Sequence, residues 1–374
     1  MAYIDRLDKV VLANKTYKNF PVILNNEHIL NRLVLKYFLS HRVVWREGTF
    51  STYSKHLCDF FSQLEVENLE ASFDHINDDW LEAYADQIIE RNQNCPVYVS
   101  QLLTTVIHFL IWCEDNEYCK NLIGTTSSFK IKIISNKDSY THKLIQYYSK
   151  QKSQLKIAPK EEWVEKILAV EHFKSKNLET RFSLMVDWGK EAGLRAHEIC
   201  ALNIHQIPIR DIIEKSLIDK ENLYIELSVT KGMKKSKIPV SSILLKKTRD
   251  YIDFEREEII KKYRQKARLE RKAYNPPIEI FLSLKTGQSL HPRTLSNQIN
   301  SGWHQAVKDG ELKEHQHVWA HGLRHLFATN KLKRISEKKH IRDPQQVTKL
   351  LTRHKHASTL DIYTARVHLE DIDE

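Results

Sequence analysis

Apolar residues along this chain recur mostly at helical spacing. Thr52 and Tyr53 with Leu57, Phe60, Phe61 and Leu64 follow an i, i+3, i+4 pattern that lines one face of a helix. Trp80, Leu81, Tyr84 and Ile88 do the same over 78–90, with Asp78 or Asp79 placed to cap the first turn. Val99, Leu102, Leu103, Val106, Ile107, Leu110 and Ile111 predict a third helix over 98–113. Ahead of these, residues 1–44 mix apolar and basic groups around Ile29, Leu30, Leu33, Val34, Leu35, Phe38 and Leu39, which predicts an N-terminal extension with one helix near 27–41. Further on, Phe182–Glu191 reads as a helix ended at Ala192-Gly193. Residues 222–229 alternate instead, with Leu223, Ile225, Leu227 and Val229 as strand formers. Ile238-Pro239-Val240 is the returning strand, so Lys231-Gly232-Met233-Lys234-Lys235 becomes a hairpin turn.

The fold class expected is therefore mainly α with a small β-sheet. A length of 374 residues makes two domains the default, and only 9 Gly and 9 Pro disfavour a turn-rich β protein. Cys58, Cys95, Cys113, Cys119 and Cys200 are scattered, without the C-x-x-C spacing of a zinc site or a paired disulfide framework. No stretch approaches ~20 consecutive apolar residues, so a cytoplasmic protein is expected.

Charge adds a direction. Lys and Arg outnumber Asp and Glu 58 to 48, a net +10 that suits an anionic partner. The bias concentrates over 130–160. There Lys130, Lys132, Lys137, Lys143, Lys150, Lys152, Lys156 and Lys160 face the single acid Asp138, with Tyr140, Tyr147 and Tyr148 interleaved. Read as a basic linker at 130–158, this segment is either a solvated connector or a run lying along DNA phosphates. Lys143, Lys150, Lys152 and Lys156 are the candidates for that contact. Residues 242–275 carry eleven basic groups against six acids, which suits a solvated pair of long helices or, alternatively, a dedicated DNA contact.

The candidate chemistry lies in the second half. His321 and Arg324 are i, i+3 neighbours, so a helix presents both on one face. Arg195 follows Gly193-Leu194 with Glu198 three residues on, and Lys231 stands in the expected hairpin turn. His354 is followed nine residues later by Tyr363. Arginines grip two phosphate oxygens with a planar fork that stays charged, histidine and lysine move protons, and a tyrosine hydroxyl can attack phosphorus. No carboxylate cluster suggests a metal nuclease and no Gly-rich loop suggests an NTPase.

In these residues the sequence resembles the tyrosine recombinases of the phage-integrase type. The likeness is residue by residue over about 195–365 and by helix pattern over about 45–120. It implies an N-terminal extension at 1–44, a helical core-binding domain at 45–129, the linker at 130–158 and a mixed α/β catalytic domain at 159–374. It further implies that Arg195 and Arg324 clamp the scissile phosphate, that Lys231 acts as general acid, and that His321 and His354 handle protons. Tyr363 would be the nucleophile, giving a 3′-phosphotyrosyl link and a free 5′-hydroxyl, with no metal or other cofactor. Lys234 and Lys235 would touch the DNA backbone from the hairpin tip. Arg353 stands where the family usually has glycine, and either alters that turn or adds a DNA contact. His325 is read as structural. The resemblance also implies a tetramer on two double-stranded DNA duplexes, exchange through a Holliday junction, and recombination at defined sites of a mobile element. Accessory DNA-bending proteins, and a tail at 367–374 that docks on a neighbour, are left open. A type IB topoisomerase, an Xer-type resolvase and a non-catalytic DNA-binding relative are the alternatives.

Overall fold

The computed structural model describes residues 1–12, 15–69, 72–92, 95–136, 139–151, 158–170, 173, 175–227, 236–337 and 343. The chain divides into two compact units, Met1–Leu155 and Lys156–Glu374.

The first unit opens with an antiparallel hairpin, β1 (Tyr3–Leu12) and β2 (Lys15–Leu24), in register from Tyr3 opposite Leu24 to Leu12 opposite Lys15. Helices α1 (Arg32–Ser40), α2 (Glu47–Val66), α3 (Asp78–Asn92) and α4 (Pro96–Asp115) follow. Strands β3 (Ile123–Gly124), β4 (Ile131–Asn136) and β5 (Ser139–His142) then form a small sheet in that order, β3 parallel and β5 antiparallel to β4, and α5 (Lys143–Lys150) closes the unit.

Three expectations change here. Residues 1–44 are an integral layer rather than an appended extension: Phe20, Val22, Ile23, Val34 and Phe38 belong to the same core as Leu57, Phe60, Leu102 and Phe109. Asn19 adopts a left-handed φ of 52° between Tyr17 and Phe20, both of which pack inward. That break in strict alternation hides the strand from a period-two reading. Second, much of the expected linker is folded. Ile131, Ile133, Leu144 and Tyr148 are buried in this core, and the Tyr148 hydroxyl donates to Asp86 Oδ1 at 2.9 Å. Of the lysines that suggested a connector, Lys130, Lys132, Lys143 and Lys150 are exposed.

Third, Asn77 caps α3, its Oδ1 accepting from the Trp80 amide at 2.8 Å. Asp78 holds the sheet instead. Its carboxylate meets buried His142 Nε2 at 2.9 Å, the Lys132 amide at 3.2 Å and Lys143 Nζ at 3.8 Å. Helix α4 has the length and apolarity to cross a bilayer, but here its Val99, Leu102, Val106 and Leu110 are fully buried among the other helices.

The second unit contains α6 (Glu161–Ala169), α7 (Lys176–Ala192), the short α8 (Ala196–Cys200) and α9 (Arg210–Ile218). The hairpin β6 (Leu223–Leu227) and β7 (Ser236–Val240) pairs from Leu223 opposite Val240 to Leu227 opposite Ser236, as the alternation predicts. Then come α10 (Ser242–Tyr251), α11 (Glu257–Leu269), α12 (Pro292–Lys308) and α13 (Ala320–Ser336). The expected helix pair in 242–275 is one continuous helix, because a π turn at Ile252–Arg256 joins α10 to α11. Buried Arg256 spans from that turn to the backbone carbonyls of Glu279 (3.0 Å) and Pro277 (2.5 Å). The mixed charges of 242–275 pair within the segment, as in Arg264 with Glu257 at 3.6 Å and Lys266 with Glu270 at 3.7 Å, and with α9, where Arg210 meets Asp250 and Asp253, both at 2.9 Å. A core built on Phe182, Met185, Trp188, Leu194, Ile225, Leu244, Phe281, Leu295 and Leu323 unites the helices with the hairpin.

Since Phe20 seats the hairpin in the first core, Phe20→Ala should destabilise that unit by about 3–5 kcal/mol. A urea titration should show the first unit melting at lower denaturant; an unchanged midpoint would mean the hairpin is dispensable.

Candidate active site

Helix α7 ends where Gly193 turns left-handed at φ 64°, its amide donating back to the Trp188 carbonyl. Only glycine takes this conformation cheaply, and a side chain at Gly193 would also overlap the Phe327 ring of α13. Gly189, one turn earlier, likewise leaves room for Leu323, where an added Cβ would lie 2.8 Å from Cδ1. These two bare positions let α7 and α13 pack closely.

The turn delivers Leu194 into the core and Arg195 to the N-cap of α8. Glu198, fully buried, accepts from the Arg195 backbone amide at 2.9 Å through Oε2 and from Arg195 Nη1 at 3.2 Å through Oε1. The carboxylate therefore positions a guanidinium that keeps a solvent-facing edge. Neutralisation is local, and the remaining N–H groups suit a phosphate.

On α13 the expected i, i+3 pair is present. Arg324 is 1% exposed, and its Nη1 donates to the Gly193 carbonyl at 2.6 Å. His321, on the same helix, is solvent-accessible. Its pKa is held below the ordinary value of 6.5 by burial of ring atoms, then by the charges of Arg324 and Arg195, against an opposing pull from Glu198. That coupling places His321, Arg195, Arg324 and Glu198 in one electrostatic cluster. The imidazole is neutral near pH 7, available to accept or donate one hydrogen bond. His325 meets the His321 ring edge-on with centroids 4.7 Å apart, and Trp319, the N-cap residue of α13, lies 6.0 Å from His325.

The structure thus brings together three sequence-predicted site residues, Arg195, His321 and Arg324. Lys231, Lys234 and Lys235, in the turn between β6 and β7, lie outside the described residues, as do Lys152, Lys156, Arg353, His354 and Tyr363. Lys143 and Lys150 are exposed at the two ends of α5 in the first unit. One contributor escaped the sequence reading. The Gly193 carbonyl is a backbone group, for which only the left-handed glycine was a signal. The His325 ring packs on His321 because the two stand at i, i+4 on α13, a spacing already present in the sequence.

The helical unit with its hairpin, and two arginines beside a histidine whose pKa is lowered, fit a DNA strand transferase of the tyrosine-recombinase type. Comparison with known proteins agrees. The model of the phage integrase family matches residues 160–368, a span that contains Arg195, Lys231, His321, Arg324, His354 and Tyr363. The chain belongs to that family. Tyrosine recombinase XerC of Halalkalibacterium halodurans is 24% identical over 277 residues, covering 73% of this chain and 80% of the relative. In overall fold the chain is similar to the XerH site-specific recombinase bound to its difH substrate, with TM-score 0.55 and 16% identity over 93% of this chain and 90% of that one. It is similar as well to the Tn1549 transposon integrase in complex with transposon right-end DNA, with TM-score 0.55 and 13% identity over 92% and 99% of the two chains.

Two outcomes check this geometry. Gly193→Ala should cost about 2 kcal/mol or more, from the left-handed backbone and the overlap with Phe327, lowering the melting temperature of the second unit. In an NMR titration, His321 should titrate below the ordinary histidine value, and Arg195→Gln should raise its pKa by removing one of the two opposing charges. Equal titration in both proteins would separate Arg195 from His321.

Proposed function

We propose that the chain is a site-specific recombinase that cuts and rejoins duplex DNA through a covalent 3′-phosphotyrosyl intermediate. The observation that carries this is the Arg324–Gly193 bond, which ties the second arginine to the backbone two residues before the first. A phosphate bridging Arg195 and Arg324 would be held by preorganised cations, with His321 beside it.

In the proposed reaction Tyr363 passes its phenolic proton to one of the two histidines, His321 or His354, and its oxygen bonds to phosphorus. The bond to the 5′ oxygen breaks, and that oxygen leaves with a proton from Lys231. Arg195 and Arg324, with hydrogen bonds from His321 and His354, meet the added negative charge of the pentacoordinate transition state without solvent rearrangement. The tyrosyl ester conserves the bond energy, so a 5′-hydroxyl from another duplex reseals it by the reverse exchange. The assembly proposed is a tetramer on two duplexes, proceeding through a Holliday junction. It is carried by a mobile element and works on DNA in the cytoplasm, alone or with DNA-bending partners. Lys234, Lys235 and Arg353 would contact the backbone near the cut, and Lys143, Lys150, Lys152 and Lys156 elsewhere on the duplex.

Covalent trapping in cells tests the proposal: denature, recover protein–DNA adducts and sequence their ends. Adducts should accumulate at one sequence and vanish in Tyr363→Phe, while Arg195→Lys should slow their formation by about 10²–10³. Tyr363-dependent adducts scattered over the genome would favour a topoisomerase-like activity. DNA binding without any such adduct would leave a non-catalytic DNA-binding protein.

A further inference from the structure

The β1–β2 hairpin is asymmetric. Strand β2 is buried from Phe20 to Ile23, whereas β1 exposes every residue from Asp5 to Lys9. Among the described residues β1 pairs with β2 and with no other strand. Its far edge is a row of backbone groups that a further strand can extend. The Arg6 amide donates to the carboxylate of its own neighbour, Asp5 Oδ1 at 2.7 Å, a local bond that suits an edge with no strand beyond it.

The side chains along this edge follow a pattern. Tyr3, Leu7 and Val11 share one face of the strand at 37%, 42% and 62% exposure. Between them lie Asp5, Arg6, Asp8 and Lys9, none of which makes an ion pair among the described residues. Lys9 stands directly across from Lys18 in the hairpin, a like-charge pair that gains when an anion joins it.

Charges on an edge strand usually keep other strands away. Here their order selects a partner. Two copies of β1 can pair antiparallel about a two-fold axis only if the axis passes through a residue, because outward-facing residues then meet outward-facing ones. An axis through Leu7 sets Leu7 opposite Leu7, Asp5 opposite Lys9, Arg6 opposite Asp8, Ile4 opposite Val10 and Tyr3 opposite Val11. Every charge meets its opposite and every apolar residue meets another. The neighbouring registers fail. An axis through Arg6 sets Arg6 against Arg6 and Tyr3 against Lys9, and one through Asp8 sets Asp8 against Asp8 and Asp5 against Val11.

We infer that the outer edge of β1 is a self-association surface, and that its occupant is the β1 strand of a second copy of this chain. The two hairpins form one four-stranded sheet in the order β2–β1–β1–β2. Asp5 of the second copy lands beside Lys9, on the side away from Lys18, and offsets the repulsion within the hairpin. A two-fold contact of this kind closes at two copies, so any larger assembly uses other surfaces. The dimer belongs to the free protein and does not depend on its DNA chemistry.

Sedimentation of the full-length protein without DNA, across the micromolar range, tests the inference. The parent should dimerise. Asp5→Lys and Lys9→Asp should each weaken the dimer roughly tenfold or more, because each sets like charges opposite one another twice in the symmetric contact. Mixing the two variants should restore a dimer, in which the lysines of one copy meet the aspartates of the other; a folding defect would not be cured this way. On a non-reducing gel, mild oxidation should join Leu7→Cys across the axis, above the background of the native cysteines. Tyr3→Cys, which faces Val11, should stay at that background. A dimer that both charge variants leave intact would use another surface and overturn the inference. A monomer at every concentration would overturn it as well, and protection of the β1 amides from hydrogen exchange in that monomer would assign the edge to another segment of the chain.

Discussion

The bond from buried Arg324 to the Gly193 carbonyl is the constraint around which the second unit is organised. A guanidinium with 1% exposure survives only if it is hydrogen-bonded, and the last carbonyls of a helix lack partners within the helix. The contact gives the carbonyl a donor and Arg324 Nη1 an acceptor. It requires α7 and α13 to approach closely, which Gly189 and Gly193 permit by having no side chains for Leu323 and Phe327 to strike. Because Arg195 begins α8 two residues after Gly193, the same contact sets the spacing of the two arginines. Glu198 then aims the first guanidinium, and burial of its ring atoms, followed by the charges of Arg324 and Arg195, holds the His321 pKa below its ordinary value. Stability and chemistry draw on the same few atoms here.

In the first unit an analogous role falls to Asp78. It draws His142, the Lys132 amide and Lys143 onto the start of α3, so the β4–β5 strands and α5 fold back on the helices. A stretch whose composition reads as a solvated connector therefore becomes the outer face of a packed layer. Lys130, Lys132, Lys143 and Lys150 remain exposed and keep the charge that suits DNA, while Ile131, Ile133, Leu144 and Tyr148 supply the burial. Charge composition describes a surface, and says little about whether that surface belongs to a folded element.

Much of the candidate site was legible from the chain alone, because its chemistry rests on residue types at fixed local spacings. The i, i+3 step from His321 to Arg324, and from Arg195 to Glu198, survives folding because both lie within single helical turns. The helices over 49–64, 78–90, 98–113 and 182–191 were legible for a related reason: each has a continuous apolar stripe. The hairpin at 3–24 was not, because the left-handed Asn19 breaks its alternation. The π turn at 252–256 was missed because Arg256, polar by type, is pulled inward by carbonyls more than twenty residues away.

The sequence by itself determined the helical character of the chain, the β6–β7 hairpin and the i, i+3 placement of His321 with Arg324 and of Arg195 with Glu198. These are properties of near neighbours, set by periodicity and by the chemistry of individual groups. Tertiary structure alone decided which backbone carbonyl receives Arg324, that residues 1–44 and 131–150 join one core, and that Lys9 faces Lys18. Each of those depends on which distant segments meet. That is settled by summed burial and the need to pair buried polar groups across the whole unit, and no local pattern encodes it.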